Sequence, residues 1–229
     1  MASGVQIGTS STLRKALLIC GILASLVQVG TDILGNILWK GYSFTSQAIS
    51  ELTAIDAPTR SLLVPFAPLY SALQIAFGLG VLILAGQRRA LRIIGFLQVA
   101  IGVVALAWMP FPMHMRGEET TFTDTMHNTF AGIQVLLILT SIGLGIIAYG
   151  KRFGYYSIGT LVILLALGSL SFLVAGQLVP QQLGNWFGLL ERITVYGYMA
   201  WVVVLAIVLL RGEIARRSML KGSSQHTTP

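Results

Sequence analysis

Asp124 and His127 stand three positions apart, and His114 lies one short loop upstream. On a helix beginning near Thr123 the first two share a face. Two imidazoles and a carboxylate would together suit zinc or another divalent ion. The same residues have a plainer use. Thr123 and Asp124 fit an N-terminal helix cap, with His127 in the wet first turn. A second group carries more charge: Glu191 and Arg192 are adjacent, Asp32 lies in a distant apolar run, and Glu51 follows Ser50. A guanidinium among carboxylates can hold a polar ligand, or it can pair with one of them and lock two helices together. On the ligand reading, Asp32, Glu51, Glu191 and Arg192 line a pocket and His114, Asp124 and His127 form its rim. Hydroxyl groups are plentiful, yet none sits in a nucleophile elbow, a phosphate-binding glycine loop or another catalytic signature.

The elements that position these residues are apolar runs long enough to cross a membrane. A span takes about 20 residues at 1.5 Å each. Six such runs lie at about 15–38, 60–86, 91–110, 126–149, 155–178 and 189–210. The last two are separated by the turn-forming cluster Pro180, Gln181, Gln182, Gly184 and Asn185. Asp32 is 17 residues beyond Lys15, roughly 26 Å along a helix. It is therefore placed inside the membrane, where an ionisable group faces the bundle interior and pairs.

Basic residues alternate between the connections. Arg14, Lys15, Arg88, Arg89, Arg92, Lys151, Arg152, Arg211, Arg216, Arg217 and Lys221 fall on one face, leaving Lys40, Arg60, Arg116 and Arg192 for the other. Short loops rich in Lys and Arg stay in the cytoplasm. The expected architecture is thus an all-α bundle of six transmembrane helices with both termini cytoplasmic, in the plasma membrane. Residues 1–14 and 211–229 form tails around a domain of 15–210. Seven of the eight carboxylates and two of the three histidines then lie in the outer half.

Composition agrees. Hydrophobic residues make up 55% of the 229 and charged ones 10%, against about 25% charged in a soluble domain. The net charge of +7 resides beside span ends, where it reads as topology signal and contact to anionic lipid headgroups. Nucleic acid is not expected, because no basic helix face is formed. Cys20 is the one cysteine, so no internal disulfide forms. The first apolar run is too long for a signal peptide and reads as a retained span. Trp39, Trp108 and Trp186 fall near outer ends and Tyr149, Phe153, Tyr155 and Tyr156 near an inner one, as aromatic belts do.

Two further features stand out in the sequence. Gly78, Gly80, Gly86 and Gly95 around Arg88 and Arg89 are echoed by Gly143, Gly145, Gly150 and Gly159 around Lys151 and Arg152. This is a weak repeat of hairpins, or a shared use of glycine for close helix contact. The stretch Tyr42 to Pro58 is amphipathic and predicts a short interfacial helix capped near Thr45 and Ser46, with Pro58 suiting the first turn of span two.

Taken together, the chain resembles the bacterial and archaeal membrane family called domain of unknown function 998. The matching features are Ser46, Ser50, Glu51 and Leu52 after span one, Pro110, Pro112 and His114 leaving span three, His127 opening span four, and Gly188 to Arg192 opening span six. The resemblance covers about residues 15–210 and implies architecture and outer-side residues without an activity. The leading expectation is a membrane protein that binds a small polar or lipid headgroup ligand in an outward-facing polar pocket. A lipid-directed, metal-assisted hydrolase and a structural or interaction protein are the alternatives. A transporter would need polar residues in the cytoplasmic half, and spans two, three and five look too apolar for it.

Overall fold

The structure, a computed structural model, describes residues 10–175 and 181–225. Pro180 of the expected turn and the ends of both tails lie outside the described residues. Six long helices carry the fold: α1 Ser11–Leu38, α2 Phe66–Ala85, α3 Arg89–Trp108, α4 Phe122–Ala148, α5 Gly150–Ala175 and α6 Phe187–Gln225. Among the described residues six helices are long and apolar enough to cross a membrane. Each packs on its neighbours in sequence, and α6 returns to α1, so the bundle is a ring closed in chain order.

Composition explains the helices, and small residues explain their contacts. Ser10 caps α1, its hydroxyl accepting from the Leu13 N–H at 3.2 Å. Along α1 the buried positions are Leu18, Gly21, Ala24, Ser25, Asp32 and Gly35, a stripe of helical spacing. Leu26 and Ile37 on the other faces are 62% and 70% exposed. Such apolar surface recurs around the ring at Phe96, Leu136, Ile147 and Phe172. In water it would drive association, and in a bilayer it meets lipid. Phe77, Leu91, Ile94, Ile142, Trp201 and Leu205 fill the centre of the ring.

Several boundaries differ from the expectation. Span two begins as a single turn, Arg60–Leu63, before α2 starts at Phe66. Pro65 between them lacks the N–H that would join the two, and Pro58 falls before the turn rather than in it. Helix α5 begins at Gly150, because that glycine takes φ +69° and turns the chain within one residue. Helix α6 continues past 210 to Gln225. Trp39 and Trp108 close α1 and α3, and Trp186 is 53% exposed before α6. Phe153 does not belong to a belt. It is buried, with its ring 5.7 Å from that of Trp201.

The glycine echo is only partly structural. Gly86 and Gly150 both adopt positive φ at the two short turns. Their packing counterparts part ways: a Cβ on Gly78 would stand 2.6 Å from the Val99 nitrogen, whereas one on Gly143 would meet nothing within 4 Å. The α4–α5 hairpin makes its close backbone contact elsewhere, where a Cβ on Gly154 would stand 2.5 Å from Ile146 O.

Candidate functional site

The loop between α1 and α2 folds inward. Tyr42, Ala48, Glu51, Leu52, Ala54, Ala57 and Thr59 are all buried. Instead of the expected interfacial helix it forms a 3₁₀ segment, Ile49–Thr53, whose N-cap is Ala48. Its polar side chains take the donors that a longer helix would have used. Ser43 N–H donates to Gln47 Oε1 at 2.7 Å, Gln47 Nε2 to Glu51 Oε2 at 2.9 Å, and Ala48 N–H to Glu51 Oε1 at 2.9 Å. Asp56 then takes φ +64° and ends any helical path. Arg116, from the α3–α4 loop, pairs with Glu51.

Arg192, near the start of α6, organises this end of the bundle. Its Nε donates to Asp32 Oδ2 at 3.0 Å and its Nη2 to Asp32 Oδ1 at 2.9 Å, a two-pronged pair with both side chains at most 1% exposed. Nη2 also reaches the Tyr42 hydroxyl, and Nη1 lies 2.8, 2.9 and 3.1 Å from the carbonyls of Phe44, Gln47 and Gly188. The Phe44 ring lies 4.2 Å beneath the guanidinium. Tyr196 donates to Asp32 Oδ2. All five N–H groups of Arg192 are thereby engaged. Burial pushes the Tyr42 phenol up to about 12 despite the Arg192 charge beside it. It therefore stays protonated and donates to Ala48 O at 2.7 Å.

The start of α6 docks onto the same loop. Leu189 N–H donates to Thr45 O at 3.0 Å, and Ile49 N–H to Glu191 Oε2 at 2.8 Å. A Cβ on Gly188 would stand 2.2 Å from Gln47 O, so only glycine allows this contact. Of the four residues expected to bind ligand, Asp32, Arg192 and Glu51 are thus occupied by protein partners. Glu191 has its Oε1 without a protein donor among the described residues.

The three rim residues do not converge. His114 joins Asp124, ring Nδ1 to Oδ2 at 2.8 Å and backbone N–H to Oδ1 at 2.7 Å. Asp124 also accepts from Thr121 N–H at 2.9 Å, so the cap of α4 is Thr121 rather than Thr123. His127 turns instead to Trp108, whose Nε1 donates to His127 Nδ1 at 2.7 Å. The same Nδ1 lies 3.0 Å from the Phe111 carbonyl oxygen. Among the described residues no group of three or more His, Cys, Asp or Glu is placed to hold a metal ion. The metal triad that the spacing allowed is therefore not assembled.

Between these networks and the bundle core lies a cavity of about 430 Å³. Its wall draws on all six helices and on the 3₁₀ segment. The sequence pointed to a polar pocket, but most of this wall is apolar, including Val64, Leu139, Leu164 and Val195. Polar groups stand within it: Gln28, Ser50, Arg60, His127, Gln134 and Glu191. Asp32 contributes to the wall, while Glu51 and Arg192 lie behind it.

Deeper in the bundle is a polar cluster that the sequence reading passed over. Tyr198 OH donates to Gln98 Oε1 at 2.8 Å, Gln98 Nε2 to Ser141 Oγ at 2.7 Å, and Gln74 Nε2 to Gln98 Oε1 at 2.5 Å. It joins α2, α3, α4 and α6, and every member is at most 1% exposed. The signal was present, since a glutamine inside an apolar span faces its own bundle rather than lipid. Spans two and three are thus less apolar inside than they look.

The sequence model of the family described as Protein of unknown function (DUF998) matches residues 22–208. The match covers most of the chain, which belongs to that family. No curated protein and no solved structure matches.

Proposed function

We propose that this member of the DUF998 family holds an amphipathic, lipid-like ligand in the cavity beneath the α1–α2 loop. Its apolar part would lie between the helices and its polar head against Glu191. The observation that carries this reading is one carboxylate oxygen, Glu191 Oε1, which has no protein donor among the described residues and stands in the wall of a mostly apolar cavity. In the same wall Gln134 Oε1 and the Tyr70 hydroxyl are buried with no partner among the described residues, and such groups are costly unless a ligand or water meets them. The volume lies within the range of small-molecule sites. Asp32, Arg192 and Glu51 serve as the frame that holds this wall.

On this reading the cavity end faces outward from the plasma membrane and both termini are cytoplasmic. The charge asymmetry supports that orientation. At the opposite end Arg88, Arg89, Lys151 and Arg152 line one recess together, an arrangement suited to anionic headgroups. A lipid-directed hydrolase is the second reading, favoured by His127 and Glu191 sharing the cavity wall.

Native mass spectrometry of protein released gently from detergent tests the binding, comparing wild type with Glu191→Gln. The amide oxygen can still accept from Ile49, so the fold is kept. A lipid-sized adduct on wild type that is weakened in the variant is expected. Equal adducts on both, or none on either, would remove the cavity from consideration as a ligand site and favour a structural role.

A further inference from the structure

We infer that the ligand of this cavity is a phosphate-bearing amphiphile and that Arg60 holds its phosphate. The inference rests on the cavity being a ligand site, and it names the class of ligand. Arg60 opens the single turn that precedes α2 and lines the cavity. Its Nη1 donates to the Thr53 carbonyl. Its Nε and Nη2 find no acceptor among the described residues, and no carboxylate there lies within 4.0 Å of it. The ion pairs found among those residues involve Arg14, His114, Arg116 and Arg192 instead.

The Arg192 guanidinium is deeper and has every donor used, whereas Arg60 is half-buried, borders apolar space and keeps donors in hand. An unpaired cation at the edge of a membrane cavity is costly without an anion. A guanidinium presents parallel N–H groups that match two oxygens of a phosphate. Ser50, also in the cavity wall, makes no hydrogen bond through its hydroxyl among the described residues and adds a third donor. Arg60 begins a membrane-crossing segment, so its head stands at the level where lipid phosphates lie. Val64 and Ala67 continue from it along the cavity wall and would flank an acyl chain. Glu191 and Arg60 are too far apart to pair with each other. A headgroup that carries a hydroxyl or ammonium beyond its phosphate would serve both.

The test uses the full chain, delipidated in detergent and titrated by native mass spectrometry. The probes are phosphatidylglycerol, diacylglycerol with the same chains, and inorganic phosphate as competitor. Gly168→Leu is measured in parallel, because its side chain would enter the cavity, and lipid that it still binds is subtracted as surface lipid. Wild type is expected to prefer phosphatidylglycerol by about tenfold or more, the scale of charge-assisted hydrogen bonds. Arg60→Gln should bring the ratio close to one with diacylglycerol binding unchanged, and Arg60→Lys should retain part of it. A ratio unchanged in Arg60→Gln would overturn the inference. Should that variant not fold, an unchanged ratio in Arg60→Lys, which lacks the two-pronged donor geometry, would overturn it equally. Full displacement of the lipid by an equal concentration of inorganic phosphate would reassign the site to free phosphate and overturn the lipid source. Equal cavity binding of both lipids to wild type sinks the role of Arg60 and leaves the cavity reading intact. No cavity binding of either lipid sinks both.

Discussion

Arg192 and Asp32 meet through two parallel hydrogen bonds of 2.9 and 3.0 Å across 160 positions of sequence, tying the last helix to the first. Because α1 and α6 are neighbours only through ring closure, this pair sits at the seam of the bundle. The carbonyls of Phe44, Gln47 and Gly188 share the same guanidinium, so the seam and the α1–α2 loop are held by one residue.

A charge reversal at this seam should not be rescued by its mirror. Asp32→Arg or Arg192→Asp alone leaves a buried charge unpaired, a loss of about 3–5 kcal/mol. The double reversal restores the charges but leaves the three carbonyls without their donor. Thermal melting in detergent should therefore show all three variants far below wild type. Recovery of the double variant to near the wild-type midpoint would mean that the carbonyl contacts contribute little.

The two glycines near the cavity should respond in opposite ways. Gly188→Ala forces a Cβ into Gln47 O and should lower stability by about 1–3 kcal/mol, as overpacking does. At Gly168 a Cβ would find only a Thr194 methyl, at 3.9 Å. A larger residue is thus tolerated there, and a helix gains by losing a glycine. Melting midpoints that fall for Gly188→Ala and hold for Gly168→Leu are expected; equal losses would contradict the docking of α6 on the loop.

How much of this was legible varied with the physics involved. Hydropathy exposes the six spans, because each must present apolar side chains to lipid along its whole length. Depth exposes Asp32, since an acid 17 residues beyond Lys15 in an apolar helix needs a partner, and Arg192 was the candidate, with Glu191 as the alternative acid for that arginine. The loop was misread for a local reason. Its amphipathic pattern suits a helix, but Gln47 and Glu51 capture backbone donors and Asp56 reverses φ. Arg116 could not have been assigned to Glu51, because the loop that carries it has no periodicity to set its direction. Nor could the cavity have been found, since it depends on how six apolar surfaces fail to fill one space.

Glu51 and Arg116 should prove unequal partners. Arg116 is 53% exposed at its side chain and Glu51 is 2%. Removing the arginine as Arg116→Ala should cost at most about 1 kcal/mol, as exposed pairs do. Glu51→Ala also strips the acceptor from the Ala48 N–H and should cost about 1–3 kcal/mol. Melting of the two variants side by side checks the order, and an equal loss would place the ion pair, not the cap, at the centre of this loop.

Orientation can be read directly with thiol labelling. In a Cys20→Ala background, Lys40→Cys should react with a membrane-impermeant reagent on intact cells. Lys151→Cys should react only after permeabilisation. The reverse pattern would invert the bundle and place the cavity on the cytoplasmic side.

Whether an amphiphile occupies the cavity can be read from the lipid that stays bound through purification. Wild type and Gly168→Leu would be purified identically and their tightly held lipid extracted and quantified per protein. Close to one lipid per wild-type chain is expected, with a clear loss in a Gly168→Leu protein that melts no lower. The same amount of lipid on both folded proteins, or none on wild type, would contradict occupancy of the cavity.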